Sequence, residues 1–250
     1  MSIETAEELA GMRRVGRLVG ETIAHLERTI VPGMTTRELD AEAQKFLADR
    51  GGVSAPKVHY RFPGTTCLSV NDEIVHGVPG ARVIAASDLV KIDVTAQLDG
   101  FIADAAVTVP MPDAPHVARR LAACARDAFT QALRAARAGQ PVSAIGAIVE
   151  RVVRGRGFRV VRELSGHGVG RAIHETPDVP NWPQPGRADR LHEGLVIAME
   201  PIIAAGPARV VTDADGWTLR THNGALAAHH EHTLVVRKGT PMLLTALGGR

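Results

Sequence analysis

Apolar residues recur at helical spacing in four stretches of the chain and gather into short strand-like runs between them. Leu9, Met12, Val15, Val19, Ile23 and Leu26 form one such stripe, preceded by Thr5-Ala6-Glu7-Glu8. In that capping box the Thr hydroxyl and the Glu carboxylate satisfy each other's free amides, which marks a helix start. Pro32-Gly33 closes the segment. Thr35 with Glu38 repeats the box and opens a second helix with Leu39, Ala43, Phe46 and Leu47 inward, stopped at Gly51-Gly52. From Thr66 to Val109 the runs are strand-like, punctuated near Asp72, by Gly77-Val78-Pro79-Gly80 and by Asp99-Gly100. Helical spacing returns from His116 to Ala138 and again after Ser143, where Ser143 is expected to cap a helix with Ile145, Ile148, Val149, Val152 and Val153 on its apolar face. Strands resume after Gly157.

A long helix, a glycine turn, a short helix, an Arg-Gly stop and then strands thus occur twice. Superposing Gly33 on Gly139 also superposes Leu39 on Ile145, Ala41 on Ala147 and Arg50-Gly51 on Arg156-Gly157. The expected fold is α+β, with pseudo-twofold halves of about 1–110 and 111–250 in one domain, and helices backing a curved, mostly antiparallel sheet.

Composition narrows this picture. At 250 residues, 45% hydrophobic and 22% charged, the chain can bury a core without disulfide staples, and two cysteines are too few for a secreted framework. The net charge is only +2 and the basic residues are dispersed, apart from one loose cluster that could form either a solvated or an RNA-contacting face. The Arg151, Arg154, Arg156, Arg159 and Arg162 cluster reads as a solvated face. No apolar stretch spans a membrane and no signal peptide is visible, so a cytoplasmic location is expected.

Five residues with metal-ligand chemistry stand at the edges of apolar runs: Asp93, Asp104, His167, Glu200 and Glu231. Asp93 and Asp104 flank the Asp99-Gly100 turn, and side-chain alternation puts them on one face of a hairpin, opposite or diagonal. Glycines on both sides of His167 allow close approach of backbone and ion. His174 follows seven positions later and could donate to a developing oxyanion. Glu200 ends the run Leu195 to Met199, and Glu231 precedes Thr233 to Val236. Four carboxylates brought together repel unless cations lie between them. An oxygen-rich, thiolate-free set favours Mn²⁺, Fe²⁺ or Co²⁺, tolerates Zn²⁺, and suits two cations.

Several stretches resemble type I methionine aminopeptidase: Asn71 to Pro79, Ile92-Asp93-Val94-Thr95, Asp99-Gly100-Phe101 with Asp104, Gly166 to Glu175, Met199-Glu200-Pro201 and Glu231-His232-Thr233. The resemblance covers nearly the whole chain, from the first helix to Val236. It implies the pita-bread fold and removal of initiator methionine from nascent chains when the second residue is small. Two divalent metals would be held by the five ligands, with Asp104 and Glu231 shared, and a hydroxide between the metals would attack. Glu200 would handle its proton, His174 would stabilise the oxyanion and His76 would contact the scissile amide. Phe62, Cys67, Ile173 and Trp217 would form the methionine sleeve.

Departures from the family pattern occur at His59, Phe62, Ile173 and His229-His230. The resemblance further implies action near the ribosome; a monomer with no membrane or DNA partner is expected. The alternatives are an Xaa-Pro aminopeptidase or dipeptidase on the same fold, and a non-catalytic pita-bread protein. The first usually carries a further N-terminal domain, and members of the second have lost ligands.

Overall fold

The computed structural model describes residues 1–184, 186 and 189–247. Among the described residues five α-helices form, α1 (Ala6–Thr29), α2 (Thr36–Ala48), α3 (Ala55–Tyr60), α4 (His116–Ala132) and α5 (Ser143–Gly155), and a 3-10 turn, Leu133–Ala135, extends α4. Both expected capping boxes are made, Thr5 with Glu8 and Thr35 with Glu38. Ser143 is a correction. It is the first helical residue rather than the cap, because turn bonds from Ala144 N to Pro141 O (3.0 Å) and from Ile145 N to Val142 O (3.1 Å) start the coil earlier. Buried Val142 is the flanking residue, and its N–H goes to Asp189 O at 3.0 Å instead of to a side-chain cap.

The strands are β1 (Val53–Ser54), β2 (Cys67–Val70), β3 (Glu73–Val75), β4 (Leu89–Leu98), β5 (Phe101–Pro110), β6 (Arg159–Val160), β7 (Ser165–Gly168), β8 (Glu175–Pro180), β9 (Val196–Met199), β10 (Ile202–Ala204), β11 (Val210–Thr212), β12 (Leu219–Thr221), β13 (Ala227–His229), β14 (Glu231–Val235) and β15 (Met242–Leu243). The main antiparallel sheet has nine strands in the order β1-β4-β5-β14-β9-β7-β8, with β2 on β4 and β15 on β14. Two smaller sheets, β13-β10-β6 and β11-β12-β3, complete the walls around it.

Alternation along the strands divides core from site. Ile92 and Val94 join Met12, Val15, Val19, Leu39 and Leu47 of α1 and α2 in one buried cluster. Leu234, Val236, Ile197 and Met199 join Leu121, Ala125, Phe129, Ile145 and Val149 of α4 and α5 in a second. Asp93, Thr95 and Glu231 therefore project from the other face, where they line a cavity. The hairpin turn uses two residues, Asp99 (φ 52°) and Gly100 (φ 75°), a left-handed pair that matches the twist of the flanking strands. On the exposed arginine face, Arg156 pairs with Asp127 at 2.5 Å and Arg162 with Glu150 at 2.6 Å.

Lys91 lies on β4 two residues before Asp93, and it is almost wholly buried. Its amine donates to Asn71 O (2.8 Å) and Ala227 O (3.2 Å), so one cation ties the main sheet to the β2–β3 turn and to β13. Burial brings its pKa down to about 7.

Gly77 closes the β2–β3 hairpin beside His76, accepting from Leu68 N at 2.9 Å and donating to Ser69 Oγ at 2.9 Å. A Cβ there would overlap the Leu68 carbonyl. Gly77→Ala is expected to lower unfolding stability by about 1–3 kcal/mol, the usual range for overpacking. An unchanged denaturation midpoint would show that the hairpin yields without strain.

Candidate metal centre

The antiparallel register assembles the acid cluster. Asp93 pairs with Ala106 and Asp104 with Thr95, so the two aspartates sit diagonally on one face of β4–β5. Ala106 also pairs with Glu231, which sets Asp93 and Glu231 on either side of one alanine. Cys67 lies opposite Asp93 on the outer side. Beyond β14, His167 of β7 pairs with Ala198 of β9, and Glu200 follows at the bend into β10. All five expected ligands line one cavity of about 520 Å³, together with His76, His174, Phe62, Cys67, Ile173 and Trp217. Every site residue proposed from the sequence is thus brought to one place.

Local bonds hold the cluster. Thr233 accepts from Asp104 N (2.9 Å) and donates to Asp104 O (2.7 Å), locking β5 to β14. Thr95 Oγ1 donates to Asp104 Oδ1 at 2.9 Å. His167 Nδ1 lies 2.9 Å from its neighbour's carbonyl, Gly168 O, and by donating there it leaves Nε2 as a lone pair, 3.4 Å from Glu200 Oε1. Glu175 Oε1 accepts from Arg171 N (2.7 Å) and Ala172 N (2.8 Å), tightening the turn before His174. At the rim, Tyr60 OH meets His174 Nδ1 at 2.9 Å with the rings stacked. Burial lowers the His174 pKa to about 4, so its ring is neutral. Phe62 and Trp217 meet edge-to-face at 5.3 Å.

Tyr60 and His229 are two members of this cavity, among others such as Thr95 and Ser165, that spacing did not mark as site residues. The only available signals were that Tyr60 is the chain's single tyrosine, and that His229 departs from the family pattern beside Glu231.

The donor set fits divalent ions. Asp93 Oδ1 and Glu231 Oε1 are buried and have no hydrogen-bond partner, which is costly for acids in a protein interior. Burial, followed by neighbouring carboxylates, pushes Asp93 and Glu231 well above the carboxylate range. Burial likewise raises Glu200 to about 8, with His167 opposing and Asp104 adding to the shift. The potential ligand atoms of Asp104, His167 and Glu231 lie within 4.8 Å of one another, as do those of Glu200, His229 and Glu231.

A fold and donor set of this kind describe a metal-dependent hydrolase. The chain belongs to metallopeptidase family M24, whose sequence profile matches residues 10–238. It is 38% identical over 249 residues to methionine aminopeptidase 2 of Bacillus subtilis, covering 99% of this chain and 100% of that one. A methionine aminopeptidase from Treponema pallidum is 40% identical over 235 residues, 94% of this chain and 92% of its own. Among solved structures, the methionine aminopeptidase of Thermotoga maritima superposes with a TM-score of 0.95 at 32% identity, covering 99% of this chain and 100% of that one. The prolidase of Pyrococcus furiosus has a TM-score of 0.79 at 21% identity, with 98% of this chain matched to 65% of that one, and shares the fold alone. The fold is the pita-bread fold, and membership of the family implies the use of divalent metal. Among the described residues, no helix is long and apolar enough to cross a membrane.

The raised carboxylates make a pH prediction for metal-free protein. Their folded pKa values exceed the unfolded ones, so their stabilising contribution is complete below about pH 4 and is lost as pH rises, for Glu200 through about 8. The depressed histidines act the other way only below about pH 6.5, and Lys91, lowered to about 7, opposes the three acids as a single group. Between pH 6.5 and 8 the melting temperature of chelated protein should therefore fall, while Mn²⁺- or Co²⁺-loaded protein should not follow it. Parallel curves from calorimetry would contradict the assignment.

Proposed function

We propose that this protein is a methionyl aminopeptidase that removes the initiator methionine from nascent chains when the second residue is small. The observation that carries this reading is the mixed lining of the cavity. Phe62, Cys67, Ile173 and Trp217 supply apolar wall for a sleeve, and the acid–imidazole cluster lines the same cavity. Polarizable, apolar walls suit a thioether side chain.

Asp93, Asp104, His167, Glu200 and Glu231 would hold two divalent ions; Co²⁺, Mn²⁺ or Fe²⁺ suit these donors and Zn²⁺ would be accommodated. When bound, such ions supply Lewis acidity and an activated water. The substrate's free α-amine is received at the carboxylate-lined floor, which confines cleavage to the first residue. Glu200 accepts a proton at a carboxylate oxygen and returns it to the leaving amine nitrogen. His174, its Nδ1 taken by the Tyr60 hydroxyl, presents Nε2–H to the scissile carbonyl oxygen as negative charge develops. His76, held in a left-handed backbone conformation (φ 57°) at the end of β3, contacts the scissile amide. Initiator methionines occur where chains are made, so the site of action is the cytoplasm, near the ribosome, and the acting species is a monomer.

His174→Ala should leave metal content intact and lower turnover of Met-Ala-Ser by about 10²–10³, the loss typical of one oxyanion donor. Unaltered turnover would remove its assigned role. Asp104→Ala should instead lose metal, measured by elemental analysis, together with activity. Faster cleavage of Ala-Pro than of Met-Ala-Ser by the unmodified protein would favour the Xaa-Pro alternative.

A further inference from the structure

We propose that His229 is a sixth protein ligand of the metal centre, which gives the site a second imidazole. This rests on the reading of the cavity as a metal centre and adds a donor to the five residues assigned above.

His229 ends β13, and its backbone is clamped by Thr108 of β5. Thr108 Oγ1 donates to His229 O (2.6 Å) and accepts from His229 N (2.9 Å). The side chain is 2% exposed, and neither ring nitrogen has a hydrogen-bond partner. It points into the acid cluster. Nε2 lies 3.1 Å from Glu200 Oε2 and 3.5 Å from Glu231 Oε2. Around an ion with bonds of about 2.1 Å, neighbouring ligand atoms lie about 3.0–3.4 Å apart, depending on octahedral or tetrahedral arrangement. The observed separations are close to this spacing. Glu200 is thus flanked by two imidazoles, with Oε1 toward His167 at 3.4 Å and Oε2 toward His229.

Burial holds the His229 ring neutral, the form in which imidazole ligates. A buried imidazole with no partner is expensive, and an ion at Nε2 relieves part of that cost. The alternative is a hydrogen bond from Nε2–H to Glu200, which would orient the acid without touching the ion.

The two roles differ in how they depend on the ion. Imidazole favours Zn²⁺ and its neighbours, whereas carboxylates serve Mn²⁺ well, so losing one imidazole ligand weakens the former selectively. Chelator-stripped full-length protein would be titrated calorimetrically with Mn²⁺, Co²⁺ and Zn²⁺ separately, comparing the unmodified chain with His229→Ala and His229→Gln. The Ala variant should lose about 10–100-fold in Co²⁺ and Zn²⁺ affinity, the scale of losses at metal sites, while its Mn²⁺ affinity changes far less. Glutamine keeps volume and offers only a hard amide oxygen, so His229→Gln should shift preference toward Mn²⁺ and provides the measurement if the Ala variant does not fold.

The visible absorption of the Co²⁺-loaded protein should change in both variants. Equal losses for all three ions, or none, would overturn the ligand assignment and leave the five-residue centre standing. An unmodified protein that binds none of the ions would overturn the centre itself.

Discussion

Carboxylates that converge in a buried place repel one another, and this chain folds so that four of them do. Asp93, Asp104, Glu200 and Glu231 gather against an apolar sheet, with burial as the leading cause of the raised pKa values of Asp93, Glu200 and Glu231. Without a cation these acids must take up protons, leave lone pairs unpaired or destabilise the sheet. Divalent metal resolves all three costs together, because it supplies positive charge at the point where the acids meet. The scaffold is therefore organised to tolerate a local instability that the ion removes.

That tolerance has visible supports. Thr233 and Thr95 bind Asp104 through its backbone and one carboxylate oxygen, so its position does not depend on metal alone. Among the described residues Lys91 provides the only fully buried lysine ammonium, and it is directed to carbonyls behind the hairpin rather than to Asp93. A lysine reaching the acids themselves would neutralise the cluster and compete with metal. Keeping this amine on the Asn71 and Ala227 carbonyls preserves the acid floor and joins the strands that deliver His76 and His229.

Much of this was legible in the chain. The capping boxes at Thr5 and Thr35 use neighbours three residues apart, so local chemistry dictates them. The Asp99-Gly100 turn was legible in part: alternation put Asp93 and Asp104 on one face, but only the folded two-residue turn sets the β4–β5 register and makes them diagonal. The ring orientation of His229 was not legible, because it depends on the Thr108 clamp from a strand more than a hundred positions away. Tyr60 reaches His174 only through the tertiary approach of α3 to the loop after β7. Ser143 misled for the converse reason: the residues ahead of it already turn, and the N–H of Val142 is drawn to Asp189.

The cavity's asymmetry links chemistry to specificity. A neutral His174 and a neutral Cys67 thiol, held protonated by burial, leave the acid cluster, with the cations it would hold, as the charged part of the cavity. On the proposed reading an incoming chain meets two requirements. An apolar side chain packs against the Phe62–Trp217 pair, and a free amine reaches the acid cluster. An internal peptide segment fails the second test because it brings an amide where charge is needed. A charged first residue fails the first, since the sleeve cannot solvate it. On this reading, exopeptidase action follows from where the charge lies, and side-chain preference from where it does not.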